Sequence, residues 1–480
     1  MNNVQKRSQF SLARQFGRNG LRETSMQKNM SLWISRLFTS STSDDRVETV
    51  HRGNILMVTK ILPLLNLIMA VLLILLFPSQ AQAAYYIRAG SSGTNSGSDW
   101  NNAYISVPAT LIRGETYWIA DGSYGSYTFN DPVSGSNYIT IKKATISDHG
   151  TNIGWESIYG DGQAEFIDLK IETNYFIIDG NENAKYGIKI NSSSTVAALQ
   201  LLYAGHITIR GLEIDLIGAP SYAPSGRCIL TKQGNDITLQ HINAHHCLND
   251  GISIGGYGAI TNLTIDDMWL HDRRFYTQGS PIHGDAVEIW STSSNVTIKN
   301  SVFDWNGQIL FFGGDSSISN FYIYGNVFTG GSAAKGLHPH DTASGSGLYV
   351  YNNSFYNCGS TGMDLSSAFT GVAKNNVFYD VNGVGFGNLT HDYNYFETGN
   401  SHGEAHQQVG GNPFINAAGY NFKLSAATNG GDSSIGAVYG TDQVGKIRGG
   451  DGVWDRGAFE YIGSVSVDLI PSAPRVISVE

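Results

Sequence analysis

Four stretches of the chain repeat one pattern of apolar and polar positions. VTIKNSVFDWNG (296–307), FYIYGNVFTGGS (321–332), LYVYNNSFYNCG (348–359) and VAKNNVFYDVNG (372–383) each read as an alternating strand, then Asn or Gly, then an apolar pair ending in Phe, then a turn. Phe303, Phe328, Phe355 and Phe378 recur at intervals of 25, 27 and 23 residues. ITIRGLEIDLIG (207–218), ITLQHINAHHCLNDG (237–251) and LTIDDMWLHD (263–272) keep the same beat, with Ile214, Ala244 and Leu270 at the equivalent inward position. Alternation with period two marks strands that bury one face. Units this short cannot bury that face alone. The pattern therefore predicts stacked coils, each strand pairing with its counterpart one coil away at about 4.8 Å. Asn300, Asn326, Asn353 and Asn376 are expected at the bend after the first strand, where stacked amides satisfy backbone groups.

The predicted fold class is all-β, a parallel β-helix solenoid, right-handed by the preference of parallel crossovers. The Leu-x-x-Leu-x-Leu frame of leucine-rich repeats is missing, and propeller blades need repeats of about 40 residues.

The second strands of successive coils are NDGISIGG (249–256), GDAVEIWS (284–291), GQILFFGG (307–314), KGLHPHDT (335–342) and TGMDLSSA (361–368). If Ile252, Ile254, Val287, Ile289, Leu337 and Met363 point inward, the outward column is Ser253, Glu288, Phe311, His338 and Asp364, with Trp290 and His340 one outward step further. Asp250, Asp285, Gln308 and Lys335 fall at the leading turn, joined by His245, His246, His283, Arg273 and Arg274 from neighbouring turns. Four coil spacings give a strip of roughly 20 Å, suited to several sugar rings. Aromatic faces stack on pyranoses while carboxylates and imidazoles bind hydroxyls. The bland reading of each group alone is a solvated surface side chain or a turn residue bonded to backbone. The mixture of acidic, basic and imidazole groups in one place is what favours chemistry.

Composition agrees. Gly contributes 57 residues, Tyr and Phe together 46, and charged residues only 15%. Residues 1–56 carry nine Lys/Arg against four Asp/Glu, while residues 84–480 carry 20 against 36. An acidic body repels phosphate backbones, so nucleic acid is not an expected partner. Residues 1–56 read as a basic leader, disordered or an over-long gene start. Residues 57–83 read as a signal peptide: Lys60, the apolar run 61–77 (ILPLLNLIMAVLLILLF) and the Ala81-Gln82-Ala83 cleavage signature. Uncleaved, the run is a membrane anchor at the lower limit of length, and the only membrane contact expected. In either case the body is exported. Cys228, Cys247 and Cys358 are too few for a disulfide framework and read as three small buried hydrophobes, with a Cys228–Cys247 pair as the alternative.

The repeats resemble the right-handed parallel β-helix proteins of the pectate-lyase-like superfamily. YYIRAGSSGTNSGSDWNNAY (85–104) and RGETYWIADGSYGSY (113–127) resemble their entry segment. NPFINAAGYNFKLS (412–425) and DGVWDRGAFEY (451–461) resemble their closing segment. The expected organisation is a β-helix domain over 84–462, with an N-terminal cap at 85–130, a closing segment at 412–462 and a flexible tail at 463–480. A monomer is expected.

The resemblance implies a polysaccharide substrate or ligand, with a lyase acting on a uronic-acid polymer as the leading reaction. His338, His340, Asp341, His283 and Lys335 are the candidate catalytic residues, with His338 or His340 preferred as base. Glu288, Trp290, Phe311, Asp364, Arg273, Arg274, His245 and His246 are the candidate substrate-binding residues. Asp285 and Glu288 are candidate ligands for Ca²⁺. Glycoside hydrolysis would use paired carboxylates among Asp285, Glu288, Asp341 and Asp364. GLHPHDTASGSGLYVYNN (336–353) resembles the Asp-Pro-His-Asp segment of mannuronan C5-epimerases at Pro339, His340 and Asp341, with His338 in place of the leading Asp. The remaining alternative is a non-catalytic carbohydrate-binding or adhesive solenoid. The body lacks a phosphate loop, HExxH, Cys-x-x-Cys and Gly-x-Ser-x-Gly, which argues against an NTPase, a zinc peptidase and a serine hydrolase.

Overall fold

The chain's structure is a computed structural model that describes residues 84–180, 186–219, 226–274, 284–461 and 463, all within the unit Gln82–Glu480. The apolar run 61–77, the Ala81-Gln82-Ala83 signature, His283 and residues 464–480 lie outside the described residues. Among the described residues no helix is long and apolar enough to cross a membrane.

Twenty-nine described strands join in one continuous sheet, and their pairings are parallel. The chain winds as a parallel β-helix whose coils present three faces. One coil runs through Ile252–Ile254, then the bent strand Ile260–His271, and then climbs to Asp285–Ile289. The bend is written into single residues. Arg210, Gln240, Asp266, Lys299, Tyr324, Tyr351, Lys374 and Asp392 stack in register. The residue after each, Gly211, His241, Asp267, Asn300, Gly325, Asn352, Asn375 and Tyr393, has a positive φ. Gly, Asn, Asp and His are the residues that tolerate this conformation best, which is why they recur at the corner.

The Phe beat becomes a ladder inside the solenoid. Ile214, Ala244, Leu270 and Phe303 share one register column. Phe303, Phe328, Phe355, Phe378 and Phe396 continue it as stacked rings with centroids 5.5, 4.8, 4.8 and 5.6 Å apart. The Asn ladder forms at three of the four expected residues, Asn326, Asn353 and Asn376; Asn300 stands one position away from it and Asn394 extends it. Its members are Asn326, Asn353, Asn376 and Asn394; the last three each accept from the backbone N–H and the side-chain amide of the Asn one coil below. Asn300 occupies the neighbouring positive-φ corner and bonds Asp266, while Ser301 takes the ladder position and donates its N–H to Asn326.

Cys228 and Cys247 form a disulfide, correcting the reading of three buried hydrophobes; Cys358 is the free, buried one. Around the first coil Trp100 is fully buried among Tyr86, Trp118 and Ala103. Residues of the closing segment, Phe414, Phe422, Leu424 and Phe459, pack with Val327, Val377 and Tyr395 on the outer side of the Phe-bearing face. Glu404 terminates the Asn ladder by accepting from the Asn394 backbone and amide.

Asn353→Ala strips partners from Asn326, Asn376 and the Ile323 carbonyl, all buried. It is expected to lower unfolding free energy by roughly 3 kcal/mol in denaturant titration, against less than about 1 kcal/mol for the exposed Asn388→Ala.

Candidate functional site

The strip-bearing face stacks as the alternation requires. Ile252, Val287, Leu310, Leu337 and Met363 share one register column and are buried in the solenoid. The next residue of each gives the outward column Ser253, Glu288, Phe311, His338 and Asp364. Three residues earlier, at the corner where each strand begins, stand Asp250, Asp285, Gln308, Lys335 and Thr361. The same pair of positions therefore carries Asp285 with Glu288 on one coil and Lys335 with His338 two coils on.

Asp250, Asp285 and Glu288 converge, with ligand oxygens all within 4.8 Å of one another. All three are buried, Asp285 to 1% exposure. Asp250 accepts from Arg227 Nε at 2.9 Å and from the Asp285 backbone N–H at 3.1 Å, and Glu288 accepts from Ser253 Oγ at 3.0 Å. Neither carboxyl oxygen of Asp285 has a hydrogen-bond partner among the described residues. Burial, reinforced by Asp250 and Glu288, pushes Asp285 well above the usual carboxylate range. Burial and Glu288 push Asp250 up to about 7 against the opposing pull of Arg227. Arg273 approaches from the adjoining corner, donates to the Asn306 carbonyl at 2.8 Å and lies near Asp285 and Asp250.

Further along the column, Lys335 Nζ lies 3.3 Å from His338 Nε2. Burial and the neighbouring Lys335 charge push the His338 imidazole down. Its buried Nδ1 has no hydrogen-bond partner among the described residues, with Asp364 Oδ2 at 3.7 Å. Phe311 stacks on the His338 ring at 6.0 Å between centroids and receives the edge of Trp290, which is 43% exposed. His340 and Asp341 sit in the turn beyond, with His340 Nδ1 3.0 Å from Thr342 Oγ1. Arg274 is spent on the carbonyls of Leu216, Ile217 and Ala219.

His245 and His246 form a second cluster, with Asp215 and Glu213. Burial alone would raise Glu213, but hydrogen bonds from His245, Lys189 and Gln163 hold it at about 2. His271 stacks beneath His245, and burial pushes it down to about 4. Arg227, Asp215, Glu213 and Lys189 escaped the sequence reading. Continuing the Ile214–Ala244 alignment by one residue would have set Asp215 opposite His245.

The raised carboxylates set a sign for stability. Their protonated forms suit the buried site, so the contribution of Asp250 is fully present below the unfolded value near 3.8 and is lost as pH rises through about 7, and Asp285 acts in the same direction. In chelator-treated protein the denaturation midpoint of Asp285→Asn, relative to the unsubstituted chain, is expected to rise between about pH 5 and about pH 8. A constant offset across that range would show that the cluster carries no such strain.

A protein-family model for the right handed beta helix region matches residues 228–401. Among solved structures, the pectate lyase Pel9A superposes with a TM-score of 0.50 at 16% identity, covering 80% of this chain and 98% of its own. An alginate lyase from Paenibacillus sp. str. FPU-7 aligns at 15% identity over 64% of this chain and 97% of its own, with a TM-score of 0.35. A rhamnogalacturonan lyase aligns at 11% identity over 69% of this chain and 90% of its own, with a TM-score of 0.40. No curated protein matches the sequence significantly. The coil register, the family match over its central coils and the pectate-lyase superposition make this chain a right-handed parallel β-helix protein.

Proposed function

We propose that the strip binds a uronic-acid polysaccharide and cleaves it by β-elimination, with His338 and Lys335 as the proton-transfer pair. The observation that carries the reading is the 3.3 Å contact between Lys335 Nζ and His338 Nε2 on the outward column. β-Elimination removes the C5 proton and expels the glycosidic oxygen from the adjacent C4, forming a C4–C5 double bond. Those two reacting positions sit on neighbouring carbons, so a base and an acid in mutual contact can serve both. His338, held in its basic form by burial and by Lys335, accepts the C5 proton at Nε2. The Lys335 ammonium donates a proton to the departing oxygen. One proton enters the protein and one leaves it, and the polymer ends as an unsaturated uronate and a new hydroxyl.

Trp290 and Phe311 offer the apolar surface on which a neighbouring pyranose stacks. The Asp250–Asp285–Glu288 cluster fits a hard cation: its donors are all oxygen, and neither Asp285 oxygen has a hydrogen-bond partner among the described residues. Ca²⁺ held there would supply charge neutralisation of the substrate carboxylate. The Cys228–Cys247 disulfide supports an oxidising, exported setting for the body.

The full chain, incubated with polygalacturonate and with alginate, is expected to generate the ultraviolet absorbance of an unsaturated uronate. His338→Ala and Lys335→Ala should each lower that rate by about 100-fold or more, and Trp290→Ala should raise KM more than it lowers kcat. Retained oligosaccharide affinity without unsaturated product, new reducing ends or C5 inversion would leave a binding solenoid and refute the lyase reading.

A further inference from the structure

Asp215, His245 and His246 belong to no step of the proposed reaction, yet their ligand atoms all lie within 4.8 Å of one another. Two consecutive residues of a strand normally point to opposite faces. Here His246 has a φ of 58°, and both Nδ1 atoms turn toward the Asp215 carboxylate. Nδ1 of His245 and Nδ1 of His246 are 2.8 Å apart, His246 Nδ1 is 2.8 Å from Asp215 Oδ1, and His245 Nδ1 is 3.7 Å from the same oxygen. Donors held at about 2.0–2.1 Å around a tetrahedral zinc lie roughly 3.3 Å apart. The three observed separations bracket that value.

Hydrogen bonding alone serves the triangle poorly. A ring nitrogen offers one proton or one lone pair in its plane. His246 Nδ1 therefore has a single proton for two close acceptors, or a lone pair facing a carboxylate oxygen. A cation at the centre satisfies all three donors together. The outer contacts fit the same role. His245 Nε2 lies 3.4 Å from Glu213 Oε1, and Glu213 is anchored by Lys189 Nζ at 2.8 Å and Gln163 Nε2 at 3.0 Å. A carboxylate accepting the second ring N–H is the usual means of orienting a metal-bound imidazole.

The backbone beneath is braced. The Cys228–Cys247 disulfide follows His246 directly, and the His246 N–H donates to the Asp272 carbonyl at 3.1 Å. Lys189 competes only weakly, standing 3.8 Å from the other oxygen of Asp215, and Asp215 Oδ1 accepts one further bond, from the Ile217 N–H at 2.9 Å. The His246 side chain is 28% exposed, so one side of the triangle faces solvent.

We propose that Asp215, His245 and His246 form a binding site for a borderline divalent metal such as Zn²⁺, with its remaining position open to water or an oxygen ligand. Zn²⁺ binding to the full chain needs no polysaccharide, so this inference and the lyase reading fail separately.

Chelator-stripped full chain, titrated with ZnCl₂ by calorimetry, is expected to bind one equivalent that Asp215→Asn and His246→Ala each weaken by about 100-fold, and Glu213→Gln by about 10-fold. Asp285→Asn should leave that equivalent in place. Co²⁺ loading should give the visible absorption of a nitrogen-ligated tetrahedral ion. Circular dichroism checks the fold of each variant, and the near-isosteric Asp215→Asn decides if His246→Ala does not fold. Absence of a bound equivalent in the unsubstituted chain, or its survival unchanged in Asp215→Asn, overturns the proposal.

Discussion

Parallel pairing in one register couples every coil of this chain to the next. Each strand contributes one inward and one outward column, and the hydrogen bonds between coils set which residues meet. A slip of a single residue would bring Glu288, Phe311 and His338 inward and turn Val287, Leu310 and Leu337 out. The inward Phe stack and the buried Asn ladder both oppose that slip. The Phe rings lose their faces when shifted, and each ladder amide loses bonds to the coils on either side. The order of the outward column is thus maintained by residues that never touch solvent.

Buried polar groups divide this molecule into scaffold and chemistry. Asn326, Asn353 and Asn376 are fully enclosed, and each finds partners for its amide. Leaving such groups unsatisfied would cost about 1–3 kcal/mol apiece. Asp285 is just as enclosed, yet among the described residues neither of its oxygens has a hydrogen-bond partner, and two of its neighbours, Asp250 and Glu288, carry the same charge. A fold that satisfies its amides so consistently retains this exception where the coil turns onto the strip. That contrast is what supports the cation site proposed at the carboxylate cluster.

How much of this was legible follows from where period two holds. The columns Ile252–Val287–Leu310–Leu337 and Glu288–Phe311–His338 could be read because flat strands keep their alternation. The Asn ladder was misplaced by one at Asn300 because two adjacent corner positions both favour Asn: the positive-φ residue and the buried amide beside it. Asn352–Asn353 and Asn375–Asn376 fill both positions, so Asn300, standing alone, fits either equally well in the sequence. The Cys228–Cys247 pair and the Arg227–Asp250 contact depend on the path of the turn between faces, which alternation does not encode.

The corners, rather than the faces, are where chemistry can concentrate in such a solenoid. Along each column a flat face offers one outward side chain per coil at about 4.8 Å spacing, and neighbouring columns lie two residues apart, too sparse to bring three donor atoms onto one point. A corner breaks the alternation, and residues that would diverge on a strand converge there. Both dense clusters have the same composition by coil. Asp215 from one coil meets His245 and His246 from the next, and Asp250 from one coil meets Asp285 and Glu288 from the next. The Asp285–Glu288 pair is three residues apart and would face opposite ways on an ideal strand; it converges because Asp285 begins its strand at the bend. Lys335 and His338 repeat that geometry two coils on with the charge reversed. The acid-rich and base-bearing sites are thus one corner motif with different side chains, held at a fixed separation by the register between them.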